Sequence, residues 1–292
     1  MSCSTPPTGA DHNGTTRQGD AAPSPRGDGG GGTAGRGLSP RGNAIPVPGN
    51  GGGTGPPSVP ALSPPGLLRA GAGELGIALT DGQLRLFALY EEELRKWNRF
   101  VSLVAIKDPR DITVKHFLDS LALLSFLPQK GGLRLLDVAT GGGFPGLPVK
   151  IARPDIDLYL LESARKKVSF LREVIRRLDL TGVAVIHERV EKAVAAGLLT
   201  ASCDVVVSRA SFPTPALLTM GSHFLRPEGS LLVMRGPRQE EAAAAIASAC
   251  LATGFHREEK TAFSLPHGGD RRIIIRYRKA GGPAKVTFRS GQ

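Results

Sequence analysis

Aromatic side chains are scarce at the start of this chain: none occurs before Phe87, and they make up only 5% of the whole. The first 66 residues carry instead 17 of the 38 glycines and 12 of the 23 prolines. Such a stretch buries too little apolar surface to offset the entropy lost on ordering, so residues 1–70 are expected to be a disordered arm. The basic start and apolar core of a secretory signal are both lacking. Cysteine is rare as well. Cys3, Cys203 and Cys250 fit no metal-ligand spacing, and an odd number of thiols suits a reducing cytoplasm, where the protein is expected to reside. No apolar run is long enough to cross a membrane. Acidic residues are outnumbered, 26 against 37 basic ones, for a formal charge of +11. The arm supplies only +2 of this, from five arginines against three aspartates through residue 70, and leaves +9 to the remainder. A surplus of that size favours a polyanionic partner through counterion release.

What is present centres on residues 133–146. Leu133, Leu135, Leu136 and Val138 form a short apolar run of the length of a buried parallel strand. A glycine cluster follows (Gly141, Gly142, Gly143, Gly146), and Pro145 and Pro148 suit the first turn of a helix. Strand, glycine turn and helix build a nucleotide site at the carboxyl end of the first strand of an open α/β sheet. The spacing serves a dinucleotide, S-adenosylmethionine (SAM) or a ligand-free turn. Two carboxylates lean toward SAM. Asp137 ends the strand, where it can face the ammonium and sulfonium of a cationic cofactor. Glu162 ends the next apolar run, where it can accept from two ribose hydroxyls. NAD would use Glu162 too, but its pyrophosphate is poorly served by a turn in which Pro145 offers no N–H.

The rest of the chain reads as alternating strands and helices. Thr80-Asp81-Gly82-Gln83 has capping-box spacing, and Phe87, Tyr90, Leu94, Trp97 and Val101 follow as one apolar stripe. Trp97 is either a core residue or a base-stacking platform. A second helix begins at residues 115–120, with His116 and Asp119 on one face as a local hydrogen-bonded pair or as part of a site. After Glu162 a helix is expected whose solvent face carries Arg165, Lys166, Arg172, Arg176 and Arg177, a solvated face or a phosphate contact. Strands are expected at 183–186, at 204–207 and at 230–234, the last after a turn at Pro227-Glu228-Gly229. A helix over 238–252 and an antiparallel pair near 255–264 and 271–277 complete a doubly wound, seven-stranded α/β sheet behind an N-terminal helical prefix.

The chain resembles the RsmG (GidB) methyltransferases, which methylate N7 of a guanine in bacterial 16S rRNA. The stretches that carry the resemblance are Lys96-Trp97-Asn98, His116-Phe117-Leu118-Asp119-Ser120, residues 137–148, Leu161-Glu162-Ser163 with residues 166–171, Arg189-Val190-Glu191 and Val207-Ser208-Arg209-Ala210. They span about residues 75–279 in order. Two positions depart from the family pattern: Ala139 stands where the loop's first glycine is usual, and Arg235 where a lysine is usual. The resemblance implies a class I SAM-dependent methyltransferase (Rossmann-like) domain over 71–282. Residues 71–130 would be the helical prefix, 131–282 the SAM-binding core and 283–292 a flexible tail. It implies cofactor contacts from Ala139, Phe144, Val190, Glu191 and Arg209, to which Asp137, Gly141, Gly143 and Glu162 are added from the residues themselves. His116 and Asp119 are placed at the edge of the active site, with 16S rRNA or the small ribosomal subunit as partner of a monomer. A SAM enzyme of another substrate, an NAD-dependent oxidoreductase and an RNA-binding protein with a weakened cofactor site are the competing readings. No general base is required, since guanine N7 offers a lone pair without a proton to remove, and no catalytic residue is assigned. A chain starting near Leu67 should keep SAM binding and thermal stability, measured by calorimetry and melting; loss of either would show that the arm belongs to the fold.

Overall fold

The computed structural model of the protein describes residues 64–105, 108–209, 211–236 and 241–281. The expected arm through residue 63 and the tail at 283–292 lie outside the described residues. The arm boundary at 70 is shifted by helix α1 (Pro64–Glu74), in which Leu67 and Leu68 are buried. The glycine- and proline-rich composition concealed this Leu-Leu pair, and a cut at Leu67 would remove the helix's first turn.

Helix α2 (Asp81–Trp97) starts as its sequence dictates. The Thr80 hydroxyl accepts from Gln83 N at 3.2 Å, and Thr80 N donates to the Gln83 side chain at 2.9 Å. Gln83 Nε2 also donates to the carbonyls of Ile151 and Ala152 at 3.0 and 3.1 Å, tying the prefix to the core domain. Phe87, Tyr90 and Leu94 are buried along one face, and Trp97 packs edge-on against Phe170 at 5.9 Å, in keeping with a core role. The second helix begins six residues before the expected start. It runs as α3 (Pro109–Ile112), capped by Asp108, then a π-helical turn (Thr113–Leu118), α4 (Asp119–Leu121) and a 3-10 turn (Ala122–Phe126). A wide turn of this kind concentrates at functional sites, and this one carries His116.

The core contains β1 (Arg134–Val138), α5 (Gly146–Ala152), β2 (Asp157–Glu162), α6 (Arg165–Arg177), β3 (Val183–His187), α7 (Val190–Ala195), β4 (Cys203–Arg209), α8 (Thr214–Phe224), β5 (Leu225–Arg235), α9 (Ala243–Thr253), β6 (Phe255–Ser264) and β7 (Arg271–Lys279). The seven strands lie in the order β3-β2-β1-β4-β5-β7-β6, parallel except for β7, which runs antiparallel to both neighbours. The expected doubly wound sheet is therefore observed. Both faces of β1 are buried, as a parallel sheet requires. Leu135 joins the core beneath α2 and α5, and Leu136 the core beneath α7 and α8.

Helix α9 begins at Ala243 rather than at 238, residues 237–240 lying outside the described residues, and two strand boundaries differ from expectation. Strand β4 extends through Ser208 and Arg209, so Arg209 is the last strand residue, paired with Met234. Pro227-Glu228-Gly229 does not precede β5 but lies within it. The register jumps from Cys203 opposite Leu225 to Val205 opposite Ser230, and Glu228 takes φ +63. The turn residues are absorbed as an irregularity in one continuous strand rather than ending it. Strand order reverses between β1 and β4, and the carboxyl ends of these strands bound the crevice where open α/β sheets bind ligands.

Candidate cofactor and active site

The loop from β1 to α5 is shaped by two carboxylates. Asp137 is wholly buried, and its Oδ2 accepts from the Thr140 hydroxyl at 2.6 Å and from Gly146 N at 2.8 Å. Its Oδ1 has no hydrogen-bond partner among the described residues. Burial pushes the Asp137 carboxyl up to about 6, against the pull of these two hydrogen bonds and of Arg209. The direct contact with a cationic ligand expected of Asp137 is thus shared with a structural one, because half of its carboxylate holds the loop. Glu162, at the end of β2, accepts from Gly141 N at 2.9 Å through one oxygen and from Ala164 N at 2.8 Å through the other. Each oxygen keeps a lone pair for a further donor.

Glycine is required in this loop for two separate reasons. Gly143 has φ +91, and a Cβ there would lie 2.4 Å from Leu147 and 2.7 Å from the Tyr90 hydroxyl. Gly146 is needed for close approach, since its Cβ would fall 2.9 Å from Asp137 Oδ2. Tyr90 Oη donates to the Gly142 carbonyl, so the prefix helix α2 holds the loop from above. Ala139 has φ +57. The left-handed backbone that glycine adopts freely is therefore imposed on an alanine.

Beside the loop lies a cleft of about 280 Å3, lined by Ala139, Leu161, Ser163, Val190, Glu191 and Phe212 among others. Three residues expected at a cofactor site, Ala139, Val190 and Glu191, thus share one surface. Val190 is buried and Glu191 exposed at the start of α7.

A second cluster forms on the other side of the loop. Phe144 is buried and stacks on Tyr90 at 5.4 Å and on His116 at 4.9 Å, while the Arg209 guanidinium lies 5.1 Å from its ring centre. Arg209 donates to His116 Nδ1 at 3.0 Å, to Asp119 Oδ2 at 3.3 Å and to the Lys115 carbonyl at 3.3 Å. His116 and Asp119 are therefore not bonded to each other; both are held through Arg209. Arginine has no acceptor, so His116 Nδ1 must carry the lone pair, which makes the ring neutral with its proton on Nε2. Burial, with Arg209, Arg272 and Lys115 adding to it, lowers His116 to about 3, in agreement with that assignment. Asp119 also faces Arg272 Nε at 3.4 Å. Burial raises its carboxyl and the two arginines pull it back.

The basic residues Arg165, Lys166, Arg172, Arg176 and Arg177 of α6 are exposed but not equivalent, while Lys167 is half-buried. Arg176 is engaged by Glu173 at 2.7 and 3.0 Å, and Arg177 faces Glu93 at 4.0 Å. Arg165, Lys166 and Arg172 have no acidic partner within 4 Å among the described residues. Three contributors escaped the sequence reading. Tyr90 was read only as part of an apolar stripe, the Thr140 hydroxyl was masked by the surrounding glycines, and Arg272 is far along the chain. The position of Arg235 is structural: its guanidinium is buried, donates to the Phe212 carbonyl and lies 3.5 Å from Glu241.

Residues 83–274 match the family model described as "rRNA small subunit methyltransferase G" (GidB). The chain is 40% identical over 209 residues to a "Ribosomal RNA small subunit methyltransferase G" of Geobacter sp. (strain M21), covering 72% of this chain and 94% of that protein. Similar values hold for the protein of that name from Syntrophus aciditrophicus (37% over 215 residues, covering 73% and 89%) and from Pelotomaculum thermopropionicum (39% over 225 residues, covering 77% and 94%).

The strain at Ala139 has a measurable consequence. Replacing it by glycine relieves a left-handed alanine at the cost of a looser unfolded chain, and Ala139→Gly should stabilise the protein by about 1 kcal/mol. A melting temperature equal to or below that of the parent would show that the turn carries no such strain.

Proposed function

Since this chain belongs to the GidB family of rRNA small subunit methyltransferase G proteins and is a SAM-dependent rRNA methyltransferase, we propose that it transfers the methyl group of SAM to N7 of a guanine in 16S rRNA. The observation that carries the site assignment is the loop pinned between Asp137 and Glu162 at the point where strand order reverses. The residues fit a cationic nucleoside. Asp137 Oδ1 is a buried acceptor without a partner among the described residues, on a carboxyl whose raised pKa a nearby positive charge would lower. Glu162 retains lone pairs for two ribose hydroxyls, and Val190 with Ala139 offers apolar walls for an adenine. When bound, SAM supplies a methyl group on a sulfonium, and the in-plane N7 lone pair can take it without loss of a proton.

No general base is needed for such a transfer, and the protein's contribution is alignment. His116 fits this account, because a ring that accepts from Arg209 and titrates near 3 is not a base at neutral pH. Phe144, clamped between Tyr90, His116 and Arg209, fixes the wall of the loop against which the transfer takes place. Arg165, Lys166 and Arg172, exposed and without acidic partners among the described residues, are the side chains best suited to RNA phosphates. Arg176 contributes less because Glu173 already occupies it.

Glu162→Ala should weaken SAM binding by roughly 1.5–3 kcal/mol, through loss of charge-assisted hydrogen bonds. It should also lower the melting temperature, because Gly141 N and Ala164 N lose their acceptor. Unchanged affinity by calorimetry would remove Glu162 from the site. The chemistry has its own signature: 7-methylguanosine becomes labile to reduction followed by aniline cleavage. Protein, SAM and unmodified 16S rRNA should together create one new cleavage site. Methyl label found on a ribose, an exocyclic amine or protein alone would refute the N7 assignment.

A further inference from the structure

Among the described residues only three large apolar side chains are exposed, Phe100, Leu198 and Leu251, and Phe100 is the one aromatic, 78% accessible. It follows the C-terminus of α2 in a turn closed by hydrogen bonds from Phe100 N and Val101 N to the Trp97 carbonyl, both at 2.9 Å. The direction of α2 places this ring. Glu93 faces Arg177, near the end of α6, whereas Trp97 packs on Phe170, nearer its start. The two helices thus run antiparallel, and α2 rises toward the end of α6 that carries Arg165 and Lys166. Phe100, three residues further on, follows the end of α2 that packs nearer the start of α6.

The charges around the ring are mixed but mostly positive. Arg95, Lys96 and Arg99 are exposed within five residues of it. Lys96 lies 3.4 Å from Glu93 and Arg95 3.7 Å from Glu91, while Arg99 has no acidic partner among the described residues. Glu92 is the remaining exposed carboxylate of that turn. Glu92 lines a cleft of about 410 Å3 together with Arg95, Lys96 and Arg99 and with Leu94, Asn98, Val104 and Ile112. The Asn98 side chain holds the far wall of this turn, donating to the Val104 carbonyl at 2.9 Å and accepting from Leu103 N and Val104 N at 2.9 and 3.1 Å. The turn that presents Phe100 is therefore built rather than loose.

We propose that Phe100 is a stacking platform for an unpaired base of the RNA substrate, with Arg99, Arg95 and Lys96 receiving the flanking phosphates. An exposed aromatic ring among cations is the arrangement by which proteins hold single-stranded nucleic acid: stacking tolerates any base, and the cations follow the backbone. The proposal rests on the rRNA substrate argued above and extends its footprint from α6 to the end of α2. An apolar contact with a protein surface would use the same exposure but would not need a π-face.

The test is binding of an unstructured 20-nucleotide adenylate RNA, and of a duplex RNA of equal length, by fluorescence anisotropy. Phe100→Ala should weaken single-strand binding about 10-fold, Phe100→Trp should restore it, and Phe100→Leu should not. Duplex binding should hardly change, since its bases are not free to stack. The slope of log affinity against log salt should also stay the same, because no ion pair is lost. Melting and SAM titration of each variant should match the parent, as the ring is exposed. Full affinity in Phe100→Ala overturns the proposal, and so does full affinity in Phe100→Leu or an equal loss on duplex. If the parent binds neither RNA nor 16S rRNA, the functional reading fails and this one with it; if it binds and the variants do not differ, only this one fails.

Discussion

A carboxylate buried without a cation of its own is costly, and the site is arranged around one. Asp137 is the penultimate residue of β1, and one of its oxygens gathers the Thr140 hydroxyl and the first amide of α5. The turn between them is thereby closed to a single shape, tight enough that Gly146 has no room for a side chain. The remaining oxygen is left without a partner among the described residues. The same interaction that fixes the loop leaves a buried acceptor whose burial cost a cationic ligand would offset. A cationic cofactor held there would draw on the same group that fixes the loop.

From that loop the constraint spreads outward. Phe144 leaves it into a stack with Tyr90 and His116, and Arg209 covers the ring from the end of β4. Arg209 and Arg272, brought from two distant strands, then meet on Asp119 in the helical prefix. The prefix is accordingly not an appendage. Its hydrogen bonds at Gln83 and Tyr90, together with the Asp119 ion pairs, make it one wall of the site. A neutral His116 follows from this geometry, since a protonated ring could not accept from Arg209.

The residues read as a site in the sequence fall into three groups in space. Ala139, Val190 and Glu191 share a cleft next to Glu162; Phe144, Arg209, His116 and Asp119 form the stack; the α6 cations lie along an exposed helix face. His116 and Asp119 were legible as a pair because three residues place them on one helix face, but the partner that unites them was not. Arg209 lies 90 residues from Asp119 along the chain. Periodicity reports neighbours a few residues apart and is silent about such distances.

The sequence by itself determined the order and kind of the elements. Apolar runs of strand length, a capping box and glycine turns are local signals, set by backbone sterics and by hydrogen bonds within a few residues. It also showed that a tight glycine turn follows β1, because only glycine allows the backbone there to turn and approach so closely. Tertiary structure alone decided what each polar group does. Asp137 became a loop anchor, Tyr90 a donor to the Gly142 carbonyl, His116 a neutral acceptor, and Pro227-Glu228-Gly229 an irregularity within a strand rather than the turn before it. The reason is physical. A side chain's protonation and partners depend on burial and on charges delivered by remote strands, and these exist only once the chain has folded.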